Sequence, residues 1–442
     1  MLKRPHPRRL FLVLRRLLLI CMLPLATTPV LAATVALEKP DATVATAWMS
    51  LALELVQKTP GFSPPVASRV FGYLGVLMYE AVVPSLPERS SLVGQLPRLN
   101  TLPQPNLGQT YHWSTVANSA LAHLMGRFFT SAGPEQSAKI AVLDAHMQTV
   151  HRRFVDEATF ERSAQHGRVL ADAIYTWSLE DGAKNTSIYT PSSASGSWQS
   201  TAPGHAGPLL PGWGHNQLFV PTTSADCRIP GPPPYNEAEE SAFHTQALEV
   251  YAVSRTLTPE QREIALFWSD DPGQTATPAG HWIALLTQIL KEQRVPLGMA
   301  VEAYAKLGIA VTDAFIACWR AKYDYDLLRP VTYIQRVKDA DWLPLLNTPP
   351  FPEYPSGHSV QSAAAAEVLT DLFGPTRAFT DHTHETRSLP ARSFTSFRQA
   401  ASEAALSRLY GGIHFRAAIE DGLTLGRCIG VHVLALRWYR GL

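Results

Sequence analysis

Cysteine is scarce in this chain of 442 residues, which contains four. One of them, Cys21, lies in the apolar N-terminal stretch, so that Cys227, Cys318 and Cys428 remain for the rest of the chain. Three cysteines make no disulfide framework, and a small disulfide-stabilised scaffold is therefore excluded. Cys318 and Cys428 lie in apolar surroundings with helical spacing, and we predict that both are ordinary core residues.

Acidic residues are absent before Glu38, whereas six basic residues occur among the first sixteen. A short apolar stretch from Leu17 to Ala26 follows, and then small residues. This pattern predicts an export signal over residues 1–32, and hence a periplasmic or secreted protein. The Arg8-Arg9 pair fits a twin-arginine signal as well as an ordinary basic start, and an uncleaved anchor is a further alternative.

The charge of the processed chain argues against nucleic-acid binding. Removal of the signal takes away six of the 38 Lys and Arg residues and none of the 37 Asp and Glu residues, which leaves a mildly acidic protein. Nucleic-acid binding depends on neutralising phosphates with basic side chains. No later segment reaches the roughly 18 uninterrupted apolar residues of a membrane span, so we expect no stable span after processing.

Alternation of apolar and polar residues, the sign of surface strands, is also lacking. Apolar residues recur instead at helical spacing, which predicts an all-α fold of helical bundles, with two halves that each resemble a four-helix bundle. A Pro-, Gly- and Ser-rich stretch over 182–235 predicts a long loop, packed on the body through its aromatic residues, between helical regions 33–181 and 236–442. The predicted helices cover residues 43–57, 66–83, 111–129, 135–154, 158–179, 237–253, 277–290, 298–319, 359–373, 394–410 and 415–438.

Two basic residues near the end of a predicted helix form the first candidate site element. Lys322 and Arg329 are seven residues apart and Pro330 follows. A continuous helix would place both cations on one face, because seven residues make two turns, and the proline would then disturb it. Two cations on one face suit an oxyanion, although this pattern alone equally fits a solvated or salt-bridged surface.

A Pro-Ser-Gly-His sequence forms the second element. Ser356 and Gly357 precede an alanine-rich helix, where a hydroxyl, free backbone N–H groups and the positive end of the helix dipole would attract an anion. His358 follows directly and could exchange a proton near neutral pH. Alone, this sequence could be any helix cap.

The third element combines an arginine, a Gly-Gly turn and a histidine. Arg408 offers a planar fork for oxyanion oxygens. The turn at Gly411-Gly412 could bring His414 back toward the same point at the start of the last helix. A histidine alone is more often structural, so the weight lies in the three elements together.

The combined pattern Lys-x6-Arg-Pro, Pro-Ser-Gly-His and Ser-Arg-x5-His resembles the superfamily that joins type-2 phosphatidic acid phosphatases to vanadium-dependent haloperoxidases. The resemblance implies a site for vanadate, or for phosphate in its place. In it, His414 would bind vanadium or attack phosphorus, His358 would act as general acid–base, and Lys322 would also polarise peroxide. The oxyanion-binding set implied by the resemblance is Lys322, Arg329, Ser356, Gly357 and Arg408.

Several features favour the haloperoxidase branch. The motif lies in the last third of a long chain, after a large helical region, as in two-bundle haloperoxidases. Trp319 and Phe351 resemble the aromatic pair on the halide side of vanadium chloroperoxidases, which favours chloride or bromide over iodide, although ordinary core packing would also explain them. The leading hypothesis is an enzyme that uses hydrogen peroxide to oxidise halide to hypohalous acid, which then reacts with an organic acceptor. The alternatives are a periplasmic acid phosphatase with His414 as nucleophile, and a non-catalytic export protein that binds phosphate.

One position departs from the superfamily pattern. Many members carry Asp four residues after the last histidine, where this chain has Ala418. We expect a backbone carbonyl to orient His414 instead, and the departure counts more against the phosphatase. The segment 381–385, Asp-His-Thr-His-Glu, could bind a metal but is predicted to be a solvated loop. The segment 267–282 is predicted to line the site entrance or to cap the bundle.

Overall fold

The computed structural model describes residues 41–184, 188–201 and 204–441, so the predicted export signal over 1–32 lies outside the described residues. Helices dominate the described chain, which confirms the predicted all-α class. The one departure is a short antiparallel ribbon of β1 (Phe379–Asp381) and β2 (Arg392–Phe394), which the sequence pattern did not predict because each strand has three residues. The described ranges fall within one compact unit, Lys39–Leu442, and the predicted boundaries at 182 and 235 stay predictions.

Each predicted helix is present, and three short ones were missed. The missed helices are α6, α8 and α11, of 5, 9 and 8 residues, which are too short to show a clear apolar period. In the described chain the helices are α1 (Thr43–Lys58), α2 (Pro64–Val82), α3 (Trp113–Phe128), α4 (Pro134–His151), α5 (Glu157–Ser178), α6 (Thr222–Asp226), α7 (Ala242–Arg255), α8 (Pro259–Phe267), α9 (Thr277–Gln293), α10 (Leu297–Tyr325), α11 (Pro330–Val337), α12 (Gly357–Phe373), α13 (Phe397–Tyr410) and α14 (Arg416–Leu434).

Helix α10 is the central element. It has 29 residues, is buried on nearly every side over its middle, and packs most extensively against α2 and then against α12. Small residues permit the close approach: a Cβ on Gly308 of α10 would lie 2.5 Å from the carbonyl oxygen of Phe71 in α2. Likewise, a Cβ on Gly426 of α14 would lie 2.0 Å from the carbonyl oxygen of Val360 in α12. The first contact holds α10 against α2, and the second holds the first turn of α12 against α14.

The loop over 182–235 packs on the helices, as predicted. In its described parts it has little regular structure beyond a 3₁₀ turn at Trp213–His215 and helix α6. Its aromatic side chains Trp198, Trp213 and Phe219 are buried. The backbone N–H groups of Phe219 and Val220 donate hydrogen bonds to the buried carboxylate of Asp313 in α10, each at 2.8 Å. The loop is therefore fixed to the central helix.

A disulfide corrects the prediction for Cys428. Cys227, at the end of α6, is bonded to Cys428 in α14, and the two residues are 201 positions apart in sequence. Such a pairing cannot be seen from spacing, because it depends on where the long loop crosses α14. Cys318 is free and buried, as predicted for a core residue.

One described segment, Pro64–Ser85, is long and apolar enough to cross a membrane by length and composition. In the fold, 89% of its most apolar stretch is buried. It includes α2, whose apolar character is explained by its packing against α10.

Candidate functional site

The three sequence elements meet in space, although the first differs from its prediction. Lys322 and Arg329 do not share a continuous helix: α10 ends at Tyr325, and Asp326 adopts a left-handed conformation with φ 48°. Arg329 is then the N-cap of α11. The two cations still converge, because the Lys322 ammonium lies 5.1 Å and the Arg329 guanidinium 4.9 Å from the centre of the Phe351 ring.

Lys322 is fully buried, and its ammonium group is committed to the backbone. Nζ donates to the carbonyl oxygens of Pro352, Glu353 and Pro355 at 3.0, 3.0 and 2.6 Å. A lysine has three N–H donors, so all of them are used here. Burial lowers the pKa of Lys322 to about 7, whereas the three carbonyl acceptors favour the charged form. Lys322 thus shapes the segment that leads into α12.

Two buried guanidinium groups each keep a donor free. Arg329 donates through Nε to the Phe351 carbonyl at 2.8 Å and through Nη1 to the Ile413 carbonyl at 2.9 Å, while its Nη2 has no partner among the described residues. Arg408 donates through Nη1 to the Trp268 carbonyl at 2.7 Å, and its Nε is likewise unpartnered in the described chain. Burial lowers the pKa of each to about 10, so both remain cationic near neutral pH.

The N-terminus of α12 lies beside these cations. Ser356 is the N-cap, and its hydroxyl accepts a hydrogen bond from the N–H of Ser359 at 3.4 Å. Gly357 begins the helix and lines the cavity described below. Burial, and then the Arg408 cation, lower the pKa of His358 well below its usual value, so this imidazole is neutral. Its Nε2 is buried without a hydrogen-bond partner in the described ranges.

His414 is oriented by a carboxylate that the sequence did not reveal. Its Nδ1 lies 2.9 Å from Oε1 of Glu353, and the same oxygen accepts the N–H of Phe415 at 2.8 Å. His414 is therefore oriented by a side chain 61 residues upstream and not by the expected backbone carbonyl. Glu353 replaces the acidic residue that many superfamily members carry at the position of Ala418. The available signal was an acidic residue within the otherwise apolar and Pro-rich run Phe351–Pro355.

This pairing defines the state of His414. Burial, followed by the cations Arg329 and Lys322, lowers the pKa of His414 well below its usual value. A neutral imidazole that donates from Nδ1 to Glu353 carries a lone pair on Nε2, which accepts a hydrogen bond from Nη1 of Arg329 at 3.3 Å. For Nε2 to act as a ligand or nucleophile, this one long hydrogen bond would have to give way.

A cavity of about 670 Å³ opens onto this group. Gly357, His358, Arg408 and His414 line it, whereas Lys322, Arg329 and Ser356 are fully buried next to these residues. The predicted halide-side residues Trp319 and Phe351 line it too, with ring centroids 4.9 Å apart. The outer lining includes the turn between α1 and α2 and the loop residues Leu209 and Leu210, and is mostly apolar.

The first of the two alternatives for the segment 267–282, lining the site, is supported at its start. The Trp268 carbonyl holds Arg408, and Ser269 and Asp270 line the cavity. The prediction of a solvated loop at 381–385 is wrong for two of its residues: Asp381 and His384 are buried against α9 and the segment at Asp270, while His382 is exposed as expected. Burial here depends on distant neighbours and was not visible from the local composition.

The donor set fits a tetrahedral oxyanion. Arg329 and Arg408 each present a free buried donor, α12 presents its N-terminus, and His414 presents a lone pair. Buried donors are normally partnered, so their presence here indicates an anionic ligand. Phosphate and vanadate both have this shape and charge.

Comparisons with known proteins agree with this geometry. Residues 302–438 match the family profile of the VCPO second helical-bundle domain. The vanadium chloroperoxidase of Curvularia inaequalis is 24% identical over 258 residues, which cover 42% of this chain and 42% of that enzyme.

Solved structures extend the likeness to nearly the whole chain. A holo-form bacterial vanadium-dependent chloroperoxidase has a TM-score of 0.64 at 15% identity, covering 86% of this chain and 94% of the other, which supports the fold. A structure described as the first bacterial vanadium-dependent iodoperoxidase has a TM-score of 0.83 at 36% identity, and covers 90% of this chain and 96% of its own. At that identity and coverage, the chain belongs to the vanadium-dependent haloperoxidase family.

Proposed function

We propose that this protein is an enzyme that binds vanadate in the cavity at His414 and uses hydrogen peroxide to oxidise a halide to hypohalous acid, which reacts with an organic acceptor. The observation that carries the proposal is the state of His414. Glu353 accepts from Nδ1, so the lone pair is on Nε2, where vanadate would take the place of the 3.3 Å hydrogen bond from Arg329. Bound vanadate would supply a Lewis-acidic centre for peroxide activation without a change of oxidation state.

The surrounding residues have distinct roles in this proposal. Arg329 and Arg408 offset the anion's charge through their free N–H groups, in a site where burial strengthens the interaction. Gly357 presents the helix N-terminus and Ser356 its hydroxyl. The donors of Lys322 are already used, so it acts by holding three carbonyl groups in place. These carbonyl groups shape the anion-binding site formed by Arg329, Ser356, Gly357, Arg408 and His414, which we call the oxyanion cradle.

His358 is the proton-exchange group. Oxidation of a halide by hydrogen peroxide to hypohalous acid and water consumes one proton. The unpartnered Nε2 of His358 faces the same cavity and can accept a proton from peroxide and return it to the leaving oxygen. Burial, and then the Arg408 cation, lower the pKa of His358, so that the imidazole is neutral and can accept a proton.

The halide would approach along the aromatic side of the cavity. Trp319 and Phe351 form an apolar wall next to the cations. The preference for chloride or bromide over iodide stays a prediction from the sequence, and the most similar structure reported above is described as an iodoperoxidase, so all three halides belong in the assay. Export to the periplasm or medium is part of the proposal, and the Cys227–Cys428 disulfide supports it, because disulfides persist in oxidising compartments.

The test is halogenation of a dimedone-type reporter by the purified protein with peroxide and each halide, before and after vanadate is added. We expect a vanadate-dependent rate that phosphate inhibits and that His414→Ala abolishes, whereas His382→Ala, at an exposed position, retains it. Hydrolysis of a phosphate monoester that depends on His414, with no halogenation at saturating vanadate, would instead establish the acid phosphatase. Glu353 could orient the histidine in either enzyme, so Ala418 no longer counts against that alternative.

A further inference from the structure

A second cluster of buried histidine and aspartate side chains lies outside the oxyanion cradle. Asp270 belongs to the segment after α8, His281 to α9, and His384 to the turn between the two strands. Their exposed fractions are 1%, 4% and 4%. Asp270 and His281 are 11 residues apart in sequence, whereas His384 belongs to a much later segment, and the fold brings the three together in the interior.

The three side chains pair with one another at hydrogen-bond and ion-pair distances, which brings their ligand atoms within reach of one ion. His281 Nδ1 lies 2.8 Å from Asp270 Oδ2, and His384 Nε2 lies 3.1 Å from Asp270 Oδ1. One ligand atom from each residue lies within 4.8 Å of the other two. Atoms that share a tetrahedral zinc ion at about 2.0–2.2 Å are roughly 3.3–3.6 Å apart, so small side-chain shifts would place all three around one ion.

Two of these atoms contact only each other. Asp270 Oδ1 and His384 Nε2 lie 3.1 Å apart without the geometry of a hydrogen bond, and neither is hydrogen-bonded to another described residue. Buried polar atoms are nearly always hydrogen-bonded or bound to an ion. Because the two atoms lie 3.1 Å apart, one cation could bind both of them.

The other side of His281 is held by a carboxylate. Its Nε2 lies 2.8 Å from Asp381 Oδ2, and Asp381 Oδ1 accepts from the N–H and hydroxyl of Thr383 at 2.9 and 2.7 Å. A histidine that binds a metal through one nitrogen usually donates from the other to a carboxylate, which fixes the ring. Asp381 stands in that position.

We propose that Asp270, His281 and His384 form a binding site for one divalent transition-metal ion, zinc being the best match, with Asp381 as the positioning residue. Two imidazole nitrogens and one carboxylate suit zinc, whereas calcium and magnesium prefer all-oxygen sites. A separate cavity of about 230 Å³, lined by all three ligands, gives an ion and water access.

The metal site would lie outside the oxyanion cradle but would be connected to it through Trp268. Trp268, two residues before Asp270, stacks on His281 with ring centroids 4.4 Å apart, and its carbonyl holds Arg408. An ion here would fasten α9, the turn at His384 and the segment that positions Arg408. The proposal does not depend on the halogenation activity.

The direct test is the metal content of the full-length protein, purified without chelating resins, stripped with a chelator and titrated with Zn²⁺. We expect one tightly bound zinc per chain by mass spectrometry of the metal. Asp270→Asn and His384→Ala should abolish binding, and Asp381→Asn should weaken it about 10–100-fold. The matched control is His382→Ala, an exposed histidine two residues from His384, which should bind zinc normally.

Two further measurements keep the test independent of variant folding and of the oxyanion site. Cobalt substitution of the wild-type protein should give visible d–d bands, and a chelator should lower its melting temperature. His414→Ala should retain the zinc. The proposal would be overturned if the metal-free wild-type protein took up no zinc or cobalt at micromolar concentrations. The cluster would then be a set of ion-paired side chains that binds no metal. Zinc uptake that Asp270→Asn and His384→Ala, both folded, leave unchanged would overturn the proposal as well.

Discussion

Removal of the Glu353 side chain should damage both stability and vanadate binding. Oε1 accepts two buried hydrogen bonds, from Nδ1 of His414 and from the N–H of Phe415. In Glu353→Ala both donors lose their acceptor, at about 1–3 kcal/mol each, so the free energy of unfolding should fall by about 2–6 kcal/mol. Denaturant unfolding monitored by circular dichroism measures this loss.

Glu353→Gln separates orientation from charge. The amide oxygen can still accept both hydrogen bonds, so the loss of stability should be smaller. The negative charge that polarises the imidazole is gone, and the vanadate concentration for half-maximal halogenation should rise about 10–100-fold, as for other residues that orient a metal-bound histidine. The control is Glu249→Ala, which removes a surface ion pair with Arg416 and should lower the free energy of unfolding by less than about 1 kcal/mol. If both Glu353 variants bound vanadate as tightly as the wild type, the orienting role would be refuted.

Three further predictions concern the stability of the fold. Replacing Cys227 and Cys428 by serine should lower the free energy of unfolding by about 2–5 kcal/mol, because the bond closes a long loop, and thermal unfolding with and without reductant checks this. Burial raises the pKa of Asp313 to about 7, above the roughly 3.9 of an unfolded chain, so the folded state holds this proton more tightly. The contribution of Asp313 to the free energy of unfolding should therefore fall as pH rises from 4 to 7, by an amount on the order of 4 kcal/mol. Asp313→Asn should make the free energy of unfolding depend less steeply on pH in this range. Equal slopes for the variant and the wild type would contradict this. Gly426→Ala should cost about 1–3 kcal/mol or more, because its Cβ would overlap a backbone carbonyl of α12, whereas Gly126→Ala, with open space on the surface of α3, should stabilise by about 0.5–1 kcal/mol.

Most of the helices were predictable because their apolar period is long and clear. The short helices and the break after Lys322 were not, since a single left-handed residue, Asp326, decides where α10 ends. The convergence of Arg329, Arg408 and His414 followed from the resemblance, not from spacing. Spacing alone predicted the wrong arrangement, with Lys322 and Arg329 on one helix.

The missed features share a cause, namely partners that are remote in sequence. Glu353 reaches His414 across 61 residues, and Cys227 reaches Cys428 across 201. His384 is polar and lies in a polar stretch, so only the placement of α9 reveals that it is buried. Local patterns describe which elements form, whereas these contacts depend on how the elements pack.

The ammonium group of Lys322 has a consequence for selectivity between anions. Its three donors are used on the carbonyl groups around the cradle, so these hydrogen bonds fix the shape of the cradle without a contribution from the anion. A rigid receptor of this kind accepts any tetrahedral anion of similar size and charge. On the proposed function, we therefore expect occupancy to follow the relative concentrations of vanadate and phosphate in the medium around the protein, so that this ratio sets the halogenation rate per chain.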